Sequence, residues 1–251
     1  MSELTYANQY FSKALETIKT VQQEESTSIS KAAELCFDSI QQEGMIHMFG
    51  AGHSHLFAEE MSYRAGGLVY VNPIQDIGYT LYGGNYSRST LLERLEGYAT
   101  TILDSYELRP NEVMIISSQS GRNMGPVEAA LYAKNKQLKV VAITSMEQSK
   151  NTESRHPSGK KLFELADVVI DNHVPAGDAA IELKTGAPKV APLSTVVGAT
   201  ILQSLTAEIA GRILDATGKV PVWVSANVDD GDQNNIDVIS NIPSRIKLFS
   251  L

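Results

Sequence analysis

The chain has 251 residues, 43% hydrophobic and 20% charged, the balance of a globular protein with a full core. Its formal net charge of −8 argues against non-specific affinity for nucleic acid, since a phosphate backbone needs clustered Lys and Arg, and no nucleic-acid partner is expected. One cysteine, Cys36, rules out an intramolecular disulfide, and no run reaches the roughly 20 apolar residues of a membrane span.

In chain order, residues 3–43 contain no Gly or Pro and place apolar residues at helical spacing, from Leu4, Ala7 and Phe11 to Phe37 and Ile40. This predicts one long helix or two, stopped near Gly44, with Cys36 buried and inert on the apolar side. The start of the chain, Met1-Ser2-Glu3-Leu4-Thr5, has no basic-then-apolar signal, and the expectation is a soluble, cytoplasmic protein with no membrane partner. Met45 to Phe49 is a short apolar run that predicts a buried strand; a Gly turn and a helix over 55–65 follow. The same grammar repeats with strands over 68–71, 113–116, 138–143 and 168–170, and helices over 91–106 and about 126–135. Continuously apolar, β-branched strands alternating with helices predict a five-stranded parallel sheet covered on both faces, doubly wound and flavodoxin-like. Residues 172–189 read as irregular, 193–217 as a long helix, and 229–235 as an exposed loop without the ligand spacing of a calcium site. The expected organisation is a helical segment over 1–43, an α/β domain over 44–220 and an extension over 221–251. The two long terminal helices carry more apolar surface than one sheet covers, which predicts a homodimer or homotetramer.

Two loops carry the candidate chemistry. Gly50-Ala51-Gly52-His53-Ser54 and Ser117-Ser118-Gln119-Ser120-Gly121-Arg122-Asn123 each leave a strand and open a helix, where free N–H groups and the positive end of a helix dipole favour an anion. Gly52 permits close backbone approach, and the serines add hydroxyl donors. The third Gly of a dinucleotide fingerprint is replaced by His55 and there is no Gly-Lys-Ser/Thr loop, so NAD and ATP are disfavoured and no cofactor is expected.

The Ser118-Gln119-Ser120-Gly121 run, with Gly50 to Ser54, Ala166 to Asp171 and Ala191 to Thr195 in that order, resembles the sugar isomerase (SIS) domain family over about residues 44–215. Length, N-terminal helix and polar tail are most similar to a family of uncharacterised bacterial SIS-domain proteins sometimes labelled phosphoheptose isomerase. The resemblance implies a phosphorylated sugar as ligand, with Gly52, Ser54, Ser118, Gln119, Ser120 and Asn123 around its phosphate and Ser194 and Thr195 on the sugar side. Asn123 stands where the family usually has Thr, and Arg122 beside it adds a charge.

Aldose–ketose isomerisation through an enediol needs a base and a proton shuttle. His55 and Glu59 are four residues apart and share a helix face, as an acid/base pair or as ligands for a divalent metal such as zinc, although no metal is assigned. His173, in the loop after the fifth strand, is the third candidate. Glu59 and Glu60 also read as solvated helix residues paired with Arg64. The alternatives to an isomerase are a non-catalytic sugar-phosphate sensor and an etherase-like phosphosugar lyase.

Overall fold

The computed structural model describes residues 5–82, 85–240 and 245–246. Two helices, α1 (Thr5–Glu24) and α2 (Ser26–Gln41), precede β1 (Ile46–Gly50), a 3-10 turn (Gly52–His55) and α3 (Leu56–Met61). After β2 (Val71–Pro73) come α4 (Tyr86–Glu93) and α5 (Tyr98–Leu103), then β3 (Val113–Ser117), α6 (Met124–Asn135) and β4 (Lys139–Thr144). Two short helices, α7 (Met146–Lys150) and α8 (Leu162–Leu165), lead to β5 (Val168–Asp171). The chain closes with a hairpin of β6 (Ala179–Glu182) and β7 (Lys189–Pro192), the long α9 (Ser194–Thr217) and α10 (Gly231–Ile239).

The five strands β1 to β5 form a parallel sheet in the order β2-β1-β3-β4-β5, the flavodoxin-like order expected from the sequence. Side chains of successive strand residues point to opposite faces, and both faces are buried. Ile46, Met48, Val113, Ile115, Val141 and Ile143 meet α2, α3 and α9 on one side. Phe49, Met114, Ile116, Val140 and Ala142 meet α5 and α6 on the other. Eight residues of α9 are buried, among them Ile201, Leu202, Leu205 and Ile209. Each full burial of such a side chain contributes roughly 1.5–3 kcal/mol, so α9 is the main clamp holding α2 and α3 on the sheet.

Several boundaries differ from the sequence reading. The N-terminal segment is two helices broken at Glu25, one of the two forms the sequence allowed. Leu68, read as strand, makes an antiparallel bridge to Val222, and the paired strand begins at Val71. The helix read over 91–106 is split, because Gly97 adopts φ +81° and donates its N–H to Glu128 at 2.6 Å. The stretch taken as irregular holds the β6–β7 hairpin. Within the stretch taken as an exposed loop, Gly231 opens α10, and Asn235 bonds both the N–H and the carbonyl of Val224. Among the described residues no helix is long and apolar enough to cross a membrane.

Candidate functional site

In the β1–β3 pairing, Gly50 stands opposite Ser117, so both Ser/Gly loops leave the same edge of the sheet from adjacent strands. With β2 on one side of β1 and β3 on the other, this is the point where strand order reverses, the place at which open parallel sheets form a ligand crevice.

The first loop turns back on itself. A Cβ at Gly50 would lie 2.2 Å from the Ser54 carbonyl oxygen, so only glycine allows the chain to fold this tightly. The Gly52 N–H is donated to the Tyr79 carbonyl at 2.9 Å, which fixes the loop against the segment after β2. Tyr79 is buried edge-on between Phe49 and Tyr98.

The second loop is held by its carbonyls. The Gln119 carbonyl accepts from the Ser145 N–H (3.2 Å) and the Thr144 hydroxyl (3.3 Å), that of Ser120 from the Ser149 hydroxyl (2.9 Å), and that of Gly121 from the Leu162 N–H (2.8 Å). Gly121 needs its φ of +60° to turn its oxygen inward, and its N–H bonds Ser118 Oγ at 3.2 Å. With these carbonyls facing the protein, the backbone N–H groups of Gln119 and Ser120 find no acceptor among the described residues. Asn172 donates Nδ2 to Gln119 Oε1 at 2.8 Å, which fixes the amide and leaves Gln119 Nε2 buried without an acceptor. A buried donor left bare costs about 1–3 kcal/mol, and a bound anion would recover it.

A sequence model of the SIS domain matches residues 9–145. The chain belongs to the SIS-domain family. A UPF0309 protein of Halalkalibacterium halodurans is 44% identical over 242 residues, covering 96% of each chain, and one of Geobacillus thermodenitrificans is 41% identical over 96% of this chain and 97% of its own. Among solved structures, phosphoheptose isomerase from Neisseria gonorrhoeae superposes with a TM-score of 0.58 over 82% of this chain and 97% of its own, at 16% identity. The NanR protein of Vibrio vulnificus, complexed with ManNAc-6P, gives 0.51 over 95% and 70%, at 15% identity. At these identities the likeness is one of fold.

Within this SIS domain, His55 and Glu59 come together beside the first loop. They border a cavity of about 210 Å³ with Gly52, Thr80 and Leu81. His55 is buried and its Nε2 accepts the Asp76 N–H at 3.3 Å, so the proton of the neutral ring sits on Nδ1, 3.8 Å from Glu59 Oε1. Burial pushes the His55 pKa down, against the opposing pull of Glu59 and Asp76, and keeps the ring neutral. Glu59 is half-exposed and also borders a wider cleft of about 550 Å³ that includes Thr195. Glu60 instead pairs with Arg64, as one reading of the sequence had it.

The other candidates lie elsewhere. His173 adopts φ +52°, takes its N–H to Asp171 Oδ1 at 2.9 Å, and places Nε2 3.3 Å from Glu25, at the break between α1 and α2. It does not border the His55–Glu59 cavity. Ser194 gives its hydroxyl to Asp178 Oδ2 at 2.6 Å, while Asp178 Oδ1 accepts the N–H groups of Leu193 and Ser194, so this pair caps α9. Asn123 Oδ1 accepts from Arg155 at 2.8 Å. Sequence reasoning overlooked Asn172, Arg155 and the 79–82 segment. The end of β5 was the one signal for Asn172; a loop Arg and a Tyr-rich connection gave none.

Proposed function

We propose that this SIS domain binds a phosphorylated sugar with its phosphate between the two loops, and interconverts aldose and ketose forms through an enediol. The observation that carries the reading is the register of β1 and β3, which brings two donor-rich loops to one edge. Ser54, Ser118, Ser120 and the free Gln119 amide supply uncharged donors suited to a phosphate that must be gripped and released. Glu59 is the base: it takes the proton from the carbon beside the carbonyl and returns it to the carbonyl carbon, while the hydroxyl proton passes between the two oxygens of the enediol. His55 lines the same cavity, with its Nδ1 3.8 Å from that carboxylate.

The test is a thermal-shift panel of five- to seven-carbon sugar phosphates, followed by NMR of any stabilising ligand in deuterated water. Carbon-bound deuterium is expected, and Glu59→Gln should lower its incorporation by about 100-fold or more while binding persists. Stabilisation without deuterium incorporation would make the protein a sensor; no stabilisation by any phosphosugar would remove the reading.

A homodimer or homotetramer belongs to the same proposal. Phe11 and Leu15 on α1 are 64% and 66% exposed, beside an apolar groove of about 480 Å³ between α1, α2 and α9. Sedimentation should show an oligomer that Leu15→Glu shifts toward monomer; a wild-type monomer at micromolar concentration would refute it.

A further inference from the structure

Four of the eight arginines are matched to a carboxylate: Arg64 to Glu60, Arg109 to Glu107, Arg212 to Glu208 and Arg245 to Glu112. Arg94, Arg122 and Arg155 form no such pair among the described residues, and they stand together. Arg94 ends α4, Arg122 follows Gly121 in the second loop, and Arg155 lies in the connection between α7 and α8. The Arg155 N–H bonds the Arg122 carbonyl at 2.8 Å, and its guanidinium reaches Asn123 Oδ1 at 2.8 Å. Arg122 Nε is buried with no acceptor.

The gathering is electrostatically costly. Loss of water contact, then the charges of Arg94 and Arg122, lower the pKa of Arg155. The acid among them is Glu93, whose own pKa burial raises, against the hydrogen bond from Asn123 and the charges of Arg94 and Arg155. Three neighbouring cations, two of them acting on the one carboxyl among them, form an arrangement that an anion from outside would relieve, on a chain of net charge −8. The cluster adjoins the candidate site. Arg122 and Asn123 continue the second loop into the start of α6, and Gly125 in the first turn packs so closely that a Cβ there would lie 2.9 Å from the Tyr79 hydroxyl. The Tyr79 carbonyl is the one that fixes Gly52.

We propose that Arg94, Arg122 and Arg155 form a subsite for a second anionic group, so that the sugar phosphate handled here carries a further phosphate or carboxylate. The inference rests on the reading of the two loops as the site of the first phosphate. Planar guanidinium groups match both kinds of anion by paired hydrogen bonds, whereas the neutral donors of the loops serve one phosphate.

Calorimetric titration at fixed ionic strength tests it. The probes are five- to seven-carbon sugar monophosphates, their bisphosphates, and phosphorylated sugar acids, each against wild type, Arg94→Gln and Arg155→Gln. Both arginines are exposed, so the variants should fold. Doubly anionic ligands are expected to bind wild type at least about tenfold more tightly than monophosphates, and each variant should lose roughly tenfold for those ligands alone. The bisphosphate and acid arms show which second anion is preferred. Equal affinity for singly and doubly anionic ligands overturns the subsite and leaves the loops standing. So does a variant that weakens monophosphates as much as doubly anionic ligands. Failure of every phosphorylated probe to bind wild type defeats the reading of the loops as well.

Discussion

Replacing Ser120 by Ala should weaken every phosphorylated ligand together, by roughly 10- to 100-fold, the value of one hydrogen bond to a charged acceptor. The expectation is uniform because the hydroxyl is assigned to the phosphate, which all such ligands share. It is also clean. The loop is anchored at this residue by its carbonyl, which takes the Ser149 hydroxyl, so the backbone keeps its place when the side chain is shortened. Ser118 is different: its Oγ accepts the Gly121 N–H, and Ser118→Ala should add a loosened turn to the lost donor. Calorimetry with each sugar phosphate and its unphosphorylated parent separates the effects. The parent sugars should be indifferent to Ser120→Ala, and unchanged phosphosugar affinities would remove the second loop from the site.

Glu112→Gln should lower the melting temperature by roughly 10 °C, from a loss of about 3–5 kcal/mol for breaking a buried charge network in a chain of this size. Glu112 is 1% exposed at the start of β3. Its Oε1 accepts the Met45 N–H (3.2 Å) and pairs with Arg245 (2.7 Å), while Oε2 meets His47 Nε2 and the Arg109 N–H, each at 2.8 Å. Burial alone would raise the carboxyl pKa, but His47, Arg245 and the Arg109 N–H outweigh it and hold it at about 2. Against an unfolded value of 4.5, the folded state binds fewer protons across that interval. The stabilisation is therefore complete above pH 4.5 and is lost as the pH falls toward about 2. Gln cannot ionise, so the variant's melting temperature should be flatter across this interval. A variant that melts within a degree or two of wild type would show that the network contributes little.

The sheet was legible because its strands are buried on both faces and therefore write continuous apolar runs, as in Val113 to Ile116. The two loops were legible as strand-to-helix turns because glycine stands where the chain folds back most tightly, as at Gly50. What escaped reading was set by contacts distant in sequence. β2 begins at Val71 because Leu68 is drawn into a bridge with Val222, some 150 residues on. The polar α10 shows too little hydrophobic periodicity to announce itself and is held through the Asn235 amide. The arginine cluster was invisible for the same reason: Arg94, Arg122 and Arg155 come from three separate connections, and only the fold makes them neighbours. His173 shows the converse. Its place after β5 pointed to the carboxyl edge of the sheet, whereas in the structure its ring turns to Glu25.

Glu112 and Ser118 lie at opposite ends of β3, about 20 Å apart at the rise of an extended strand. That separation exceeds the roughly 7–10 Å over which substitutions ordinarily influence one another. The carboxylate gripping Arg245 and the loop presenting Ser120 are thus energetically independent poles of one strand. Substitutions at Arg245 should therefore change the resilience of the molecule without disturbing the Ser/Gly loop at the far end of β3.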